Sequence, residues 1–154
     1  MNRLSYKVIK ENENMQPICP IFQIVLDDKE TGFYFDVAGL ELSSKKSGIF
    51  PIVIGRCDVI GCCGMYIEVA QKQDKVFWKK FWNGQCCGEP EPDDELKEFR
   101  FADGFIIKPP LEFDIKEYHN IFEQIWKELP KFKSECEKYK RDLIDYKAGK
   151  LFRI

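Results

Sequence analysis

Residues 49–82, IFPIVIGRCDVIGCCGMYIEVAQKQDKVFWKKFW, contain three runs that are rich in β-branched and aromatic residues. Short turn-forming segments at 58–61 and 71–74 separate these runs. Strands joined by such short connections pair as antiparallel neighbours. The stretch therefore predicts a three-stranded antiparallel meander, and the fold is expected to be built around it.

The sequence on either side of the meander predicts further strands. Residues 4–10 alternate between apolar and polar side chains, which is the period of a half-buried strand. An apolar run before a polar tip at 27–32, and a second run at 32–40, predict a β-hairpin. Residues 43–48, SSKKSG, are expected to form a loop, and residues 99–110 are expected to add one or two final strands.

The C-terminal part of the chain changes to the apolar period of an amphipathic helix. Asp114 is the predicted N-cap, and Glu117 is its predicted capping-box partner. The apolar stripe continues through Pro130 to Tyr146, which fits either one kinked helix or two helices that share a stripe. We favour the kinked helix, because Leu129 would be a poor N-cap for a new one.

The chain of 154 residues is long enough for one domain with its own hydrophobic core. We expect a single α+β domain over 1–154, strand-rich over 1–108 and helical over 114–148. Its expected architecture is a mainly antiparallel sheet of about six strands packed against a long or kinked C-terminal helix.

The charge and motifs of the chain disfavour several classes of function. A net charge of −2 gives no general attraction to nucleic acid or to an anionic membrane. The sequence has neither a membrane-length apolar run nor the apolar core of a signal peptide, so a cytoplasmic location is expected. It contains no phosphate-binding glycine loop and no His-Glu-x-x-His motif, and the single histidine, His119, is expected at the surface or its boundary. No catalytic residue is predicted.

Three of the seven cysteines lie in residues 55–66, GRCDVIGCCGMY, together with three glycines. A four-residue hairpin loop in this stretch would make Cys57 face Cys62 and Val53 face Tyr66. Glycines flank the two cysteines, so this side of the hairpin has little side-chain bulk.

Three interpretations of this small-residue face remain open, and we favour the first. A neighbouring backbone or aromatic ring packs against it. Alternatively, Cys57 and Cys62 join Cys86 and Cys87 in a four-cysteine zinc site, although their spacing is not that of a usual zinc motif. In the third interpretation, the facing cysteines form a reversible disulfide, because opposite residues on antiparallel strands have a suitable separation.

Residues 51–69, PIVIGRCDVIGCCGMYIEV, followed by VFWKKF at 76–81, carry a recognisable pattern. This pattern resembles the core of a group of small uncharacterised bacterial proteins with Gly-x-Cys, Gly-Cys and Val-x-Trp elements. The matching residues are Gly55, Cys57, Gly61, Cys62, Val76 and Trp78. The group has no established activity, so the resemblance implies no catalytic role, and it covers about a fifth of the chain.

The segment VFWKKFW interleaves aromatic residues with lysines. Strict alternation on a strand would place Trp78 and Trp82 on one face and Phe77 and Phe81 on the other. The aromatics are thus divided between the two faces, which favours core packing over stacking on nucleic-acid bases. A protein-binding surface is the alternative, since tryptophan is enriched in interfaces.

Residues 89–98 contain six acids and one lysine, which is typical of a solvated loop or of a surface that meets a basic partner. The leading functional hypothesis is therefore non-catalytic binding of another protein, with no cofactor. Immunity proteins that cover the basic active site of a toxic nuclease, or accessory proteins, work in this way. The alternative is a zinc-binding or thiol-redox protein that uses the four cysteines, and the oligomeric state is left open. The predicted partner-binding residues are Trp78, Trp82, Glu91, Asp93, Asp94 and Glu95.

Overall fold

The computed structural model describes residues 1–9, 21–53, 65–83, 95–100 and 104–128. Within these ranges the chain forms ten β-strands and two α-helices. In chain order they are β1 (Leu4–Ile9), β2 (Ile21–Leu26), β3 (Lys29–Tyr34), α1 (Val37–Lys45), β4 (Gly48–Val53), β5 (Met65–Lys72), β6 (Lys75–Asn83), β7 (Glu95–Leu96), β8 (Phe99–Arg100), β9 (Ile106–Ile107), β10 (Leu111–Asp114) and α2 (Ile115–Glu128).

The strands pair antiparallel in three sheets. The largest has the order β10-β6-β5-β4, with β7 added beside β6, and contains the predicted meander β4-β5-β6. A second sheet has the order β1-β2-β3, and β8 pairs with β9. The predicted α+β class with mostly antiparallel strands is confirmed. The main sheet has five strands, and α2 follows its edge strand β10.

Hydrogen bonds join the two larger sheets at two separate edges. At one edge the N–H of Asn2 donates to the carbonyl oxygen of Glu112, at 2.8 Å. At the other edge the N–H of Asp36 donates to the carbonyl oxygen of Ile52, also at 2.8 Å. The two sheets and both helices therefore share one continuous hydrophobic core.

This core is dominated by aromatic rings that meet edge to face. The ring centroids of Trp78 and Phe113 are 4.8 Å apart, and those of Trp78 and Phe81 are 6.4 Å apart. Such contacts add to the free energy gained by burying apolar area. The largest fully buried side chains include Phe22, Phe35, Phe50, Phe81, Phe113 and Tyr118.

The hairpin β2–β3 is tighter than the sequence predicts. Asp27 and Asp28 have φ angles of 51° and 66°, as in the two-residue turns that match the twist of a hairpin. Strand β3 therefore begins at Lys29, inside the polar tip predicted at 27–32. The Asp27 carboxylate also accepts the N–H of Arg3, at 2.8 Å, which ties the turn to the start of β1.

Helix α1 is the largest departure from the sequence predictions, which placed a strand and a loop over residues 32–48. The Asp36 side chain caps α1 by accepting the N–H of Gly39, at 3.1 Å. The helix then packs closely on β4, since a Cβ atom at Gly39 would lie 1.6 Å from the Pro51 carbonyl oxygen. The Asp36 cap is a local signal that the prediction missed, whereas the close packing of α1 on β4 is visible only in the tertiary structure.

The pairing of β4 with β5 also differs from the prediction. Val53 was expected to face Tyr66, but Val53 pairs with Met65 and Pro51 pairs with Tyr66. Ile52 is therefore an extra residue on β4, next to a proline that has no N–H to donate to the ladder. The predicted pairing was wrong at this position, and the predicted facing of the two cysteines rested on its continuation through residues outside the described part of the chain.

Helix α2 begins as the sequence predicts. The N–H of Glu117 donates to the Asp114 carboxylate, at 3.1 Å, which confirms the predicted N-cap. The capping-box role predicted for the Glu117 side chain was wrong, because its carboxylate accepts the N–H of Leu4, at 3.0 Å, and so connects α2 to β1. The choice between one kinked helix and two helices concerns residues after 128, which lie outside the described ranges.

Candidate functional site

Strand β6 carries a bulge that changes which of its side chains share a face. Opposite β5, Lys80 pairs with Glu68, and Trp78 pairs with the next residue, Val69. Lys79 is therefore an extra residue on β6, and the alternation of faces is interrupted there. The two exposed lysines lie at this interruption.

The bulge separates the two tryptophans that strict alternation placed together. Trp78 and Phe81 both face the main core, with 2% and 1% of their surfaces exposed. Trp82 instead lies on the opposite, outer face of the five-stranded sheet, where it packs against Tyr66. The prediction that Trp78 and Trp82 share a face was therefore wrong.

Trp78 belongs to a buried hydrogen-bonded network between the sheet and both helices. Its indole N–H donates to the Tyr118 hydroxyl oxygen, at 3.1 Å, and that oxygen lies 2.6 Å from Ser43 Oγ. Burial raises the pKa of Tyr118 to about 12, so its hydroxyl stays protonated at neutral pH. The structure thus places Trp78, a predicted partner-binding residue, out of reach of a partner.

We call Trp82, Tyr66, Ile49 and Leu42 the outer-face patch. Tyr66 is fully buried at its centre, and the other three side chains are partly buried around it. Glu95 on β7 pairs directly with Trp82 on β6. The structure therefore brings together two of the predicted partner-binding residues, Trp82 and Glu95.

Charged side chains of both signs lie near the outer-face patch. The Glu95 carboxylate is 3.1 Å from the Lys97 ammonium group, and the Glu68 carboxylate is 4.0 Å from the Lys79 ammonium group. Protein interfaces commonly have such a polar rim around an apolar centre. Tyr66 is itself inaccessible, so only the exposed parts of Trp82, Ile49 and Leu42 could form the apolar part of such an interface.

The other predicted site residues lie outside the described ranges. Residues 84–94 contain Glu91, Asp93 and Asp94, and they connect Asn83 at the end of β6 to Glu95. Both ends of this acidic segment are therefore held beside the outer-face patch. The four cysteines proposed for a zinc or redox site, Cys57, Cys62, Cys86 and Cys87, lie in residues 54–64 and 84–94.

The strand register brings the ends of these two cysteine-containing segments together. Met65 pairs with Val53 on one side and with Asn83 on the other. Residues 54–64 connect Val53 to Met65, and residues 84–94 begin after Asn83. Both segments therefore start from the same end of the five-stranded sheet, as the predicted antiparallel meander implies, and the register shows that Val53, Met65 and Asn83 lie in one row there.

The single histidine, His119, has a structural hydrogen-bond partner. His119 is half-buried, at the boundary where the sequence analysis expected it, and its Nε2–H donates to the Ser44 carbonyl oxygen at 3.0 Å. Within the described residues, no cluster of three or more histidine, cysteine or acidic side chains is arranged to hold a metal ion. All seven cysteines lie outside those residues, so this finding does not concern them.

A groove of about 570 Å³ runs between β1 and α2, and no pattern in the sequence predicts it. Tyr6 and Val8 line it from the strand, and Asn120 and Gln124 line it from the helix. Its lining is mixed, since Arg3 and Glu117 contribute charges of opposite sign beside the amide groups and the apolar side chains. This composition gives no indication of a particular ligand.

No protein-family model, curated protein or solved structure matches this chain. No helix in the described ranges is both long enough and apolar enough to cross a bilayer. The fold belongs to the α+β class, with mostly antiparallel sheets.

Proposed function

We propose that this chain is a non-catalytic protein-binding protein, similar in its mode of action to immunity or accessory proteins of bacteria. The observation that carries the proposal is the pairing of half-buried Trp82 with Glu95, at the point where the acidic segment joins the sheet. Directly paired residues on neighbouring strands share a face, so the apolar anchor Trp82 and the Glu95 carboxylate lie on the same face of the sheet.

Chain connectivity keeps the acidic residues close to this anchor. Asp94, Asp93 and Glu91 precede Glu95 by one, two and four residues. A residue spans at most about 3.5 Å, so even Glu91 lies within about 14 Å of Glu95. A partner that covers Trp82 is therefore within reach of the carboxylates as well.

The two components have different roles in binding. A tryptophan that enters a pocket on a partner commonly contributes about 2 kcal/mol or more of binding free energy. Carboxylates near it accelerate the approach of a basic surface and select against acidic ones. The favoured partner is therefore a protein with a basic surface around an apolar pocket.

Affinity capture from the native host, analysed by quantitative mass spectrometry, tests the proposal. The wild-type protein should retain one stoichiometric basic partner, and Trp82→Ala should reduce its affinity by about 30-fold or more. Trp126→Ala is the matched control, because Trp126 is also half-buried but lies on α2.

Glu95→Lys should weaken capture of the same partner, and the loss should become smaller as salt is raised. Circular dichroism checks that each variant is folded. Failure to retain any partner, or equal losses in the Trp82 and Trp126 variants, would refute the proposal.

A second candidate function, zinc or thiol chemistry at the cysteines, is favoured by the convergence of the two segment ends. Neighbouring strands are about 4.8 Å apart, so Val53, Met65 and Asn83 form a short row. Each of the four cysteines lies three or four residues from this row, within about 14 Å along the chain. The four are Cys57, Cys62, Cys86 and Cys87.

Metal analysis and thiol titration of protein purified without chelator separate the two functions. About one equivalent of zinc with protected thiols would support a zinc site, because four thiolates complete a tetrahedral zinc shell. Cys57→Ser should then lose the metal, whereas Cys136→Ser should retain it as a matched control. Metal-free protein with freely titrating thiols would exclude the zinc site.

A further inference from the structure

We draw no further inference here: the strongest candidate, the groove between β1 and α2, carries nothing because nothing in the described residues shows what covers it.

Discussion

Replacing Tyr118 with phenylalanine removes one hydroxyl group from the middle of a buried chain of hydrogen bonds. The Ser43 hydroxyl donates to the Leu40 carbonyl oxygen at 2.6 Å, so its only proton is used there. The Tyr118 hydroxyl must then donate to Ser43 Oγ and accept from the Trp78 indole N–H. Each donor in this hydrogen-bonded network has one acceptor, and the Tyr118 hydroxyl links the sheet to both helices.

Without the Tyr118 hydroxyl, the indole N–H of Trp78 is left without its acceptor at a site that is 2% exposed. A buried donor that loses its partner costs about 1–3 kcal/mol, so Tyr118→Phe should lower the free energy of unfolding by that amount. The ring itself is retained, and the packing against Phe113 should change little. The expected loss therefore comes from hydrogen bonding and not from a cavity.

Urea unfolding followed by tryptophan fluorescence measures this loss. Tyr34→Phe is the matched control, since Tyr34 is half-buried on β3, and its effect should stay within about 0.5 kcal/mol. The double variant Ser43→Ala/Tyr118→Phe should cost less than the sum of the two single changes, because both break the same bond. Equal stabilities for Tyr118→Phe and Tyr34→Phe, or strict additivity in the double variant, would refute the reasoning.

Three further predictions concern alkaline pH, a close contact and a helix cap. The pKa of Tyr118 is raised to about 12 in the folded protein, so the tyrosine of the unfolded chain ionises first as pH rises above about 10. The free energy of unfolding of the wild-type protein should therefore fall between these two pH values, and that of Tyr118→Phe should fall less. Unfolding measured as a function of pH checks this. Gly39→Ala should destabilise the protein by about 1–3 kcal/mol, because the added Cβ would clash with the Pro51 carbonyl oxygen. Thermal unfolding checks this. A gain in stability, which helix propensity alone predicts, would contradict the close contact. Asp114→Ala should cost about 0.5–2 kcal/mol in chemical unfolding because it removes the cap of α2, whereas Asp114→Asn should retain most of the stability, and an equal loss in both variants would show that the cap is not the cause.

The proposed interface also depends on a feature of tertiary structure. The bulge at Lys79 turns Trp82 to the outer face of the sheet and leaves Trp78 in the core. A binding surface built on both tryptophans, as the sequence suggested, is therefore reduced to one anchor. Glu95 joins it because β7 pairs with β6, although twelve residues separate Trp82 from Glu95 in the chain.

The sequence alone was sufficient for features that depend on neighbouring residues. The meander β4-β5-β6 follows from apolar runs and short turns, and the start of α2 follows from the capping residue Asp114. Strand β1 and the hairpin β2–β3 follow from the same local patterns, except for the length of the turn and the end of β3, which was predicted at residue 40 and lies at Tyr34. These features are predictable because a strand period, a turn or a cap is encoded within a few residues.

Only the tertiary structure decided helix α1, the two bulges and the closure of the sheets around one core. Helix α1 depends on the contact of Gly39 with β4, and each bulge depends on how two strands match along their length. The meeting of Trp82 with Glu95, and of Val53 with Met65 and Asn83, arises in the same way. A strand register is a property of a pair of strands. The sequence could therefore predict individual residues of the candidate site but not which of them lie next to one another.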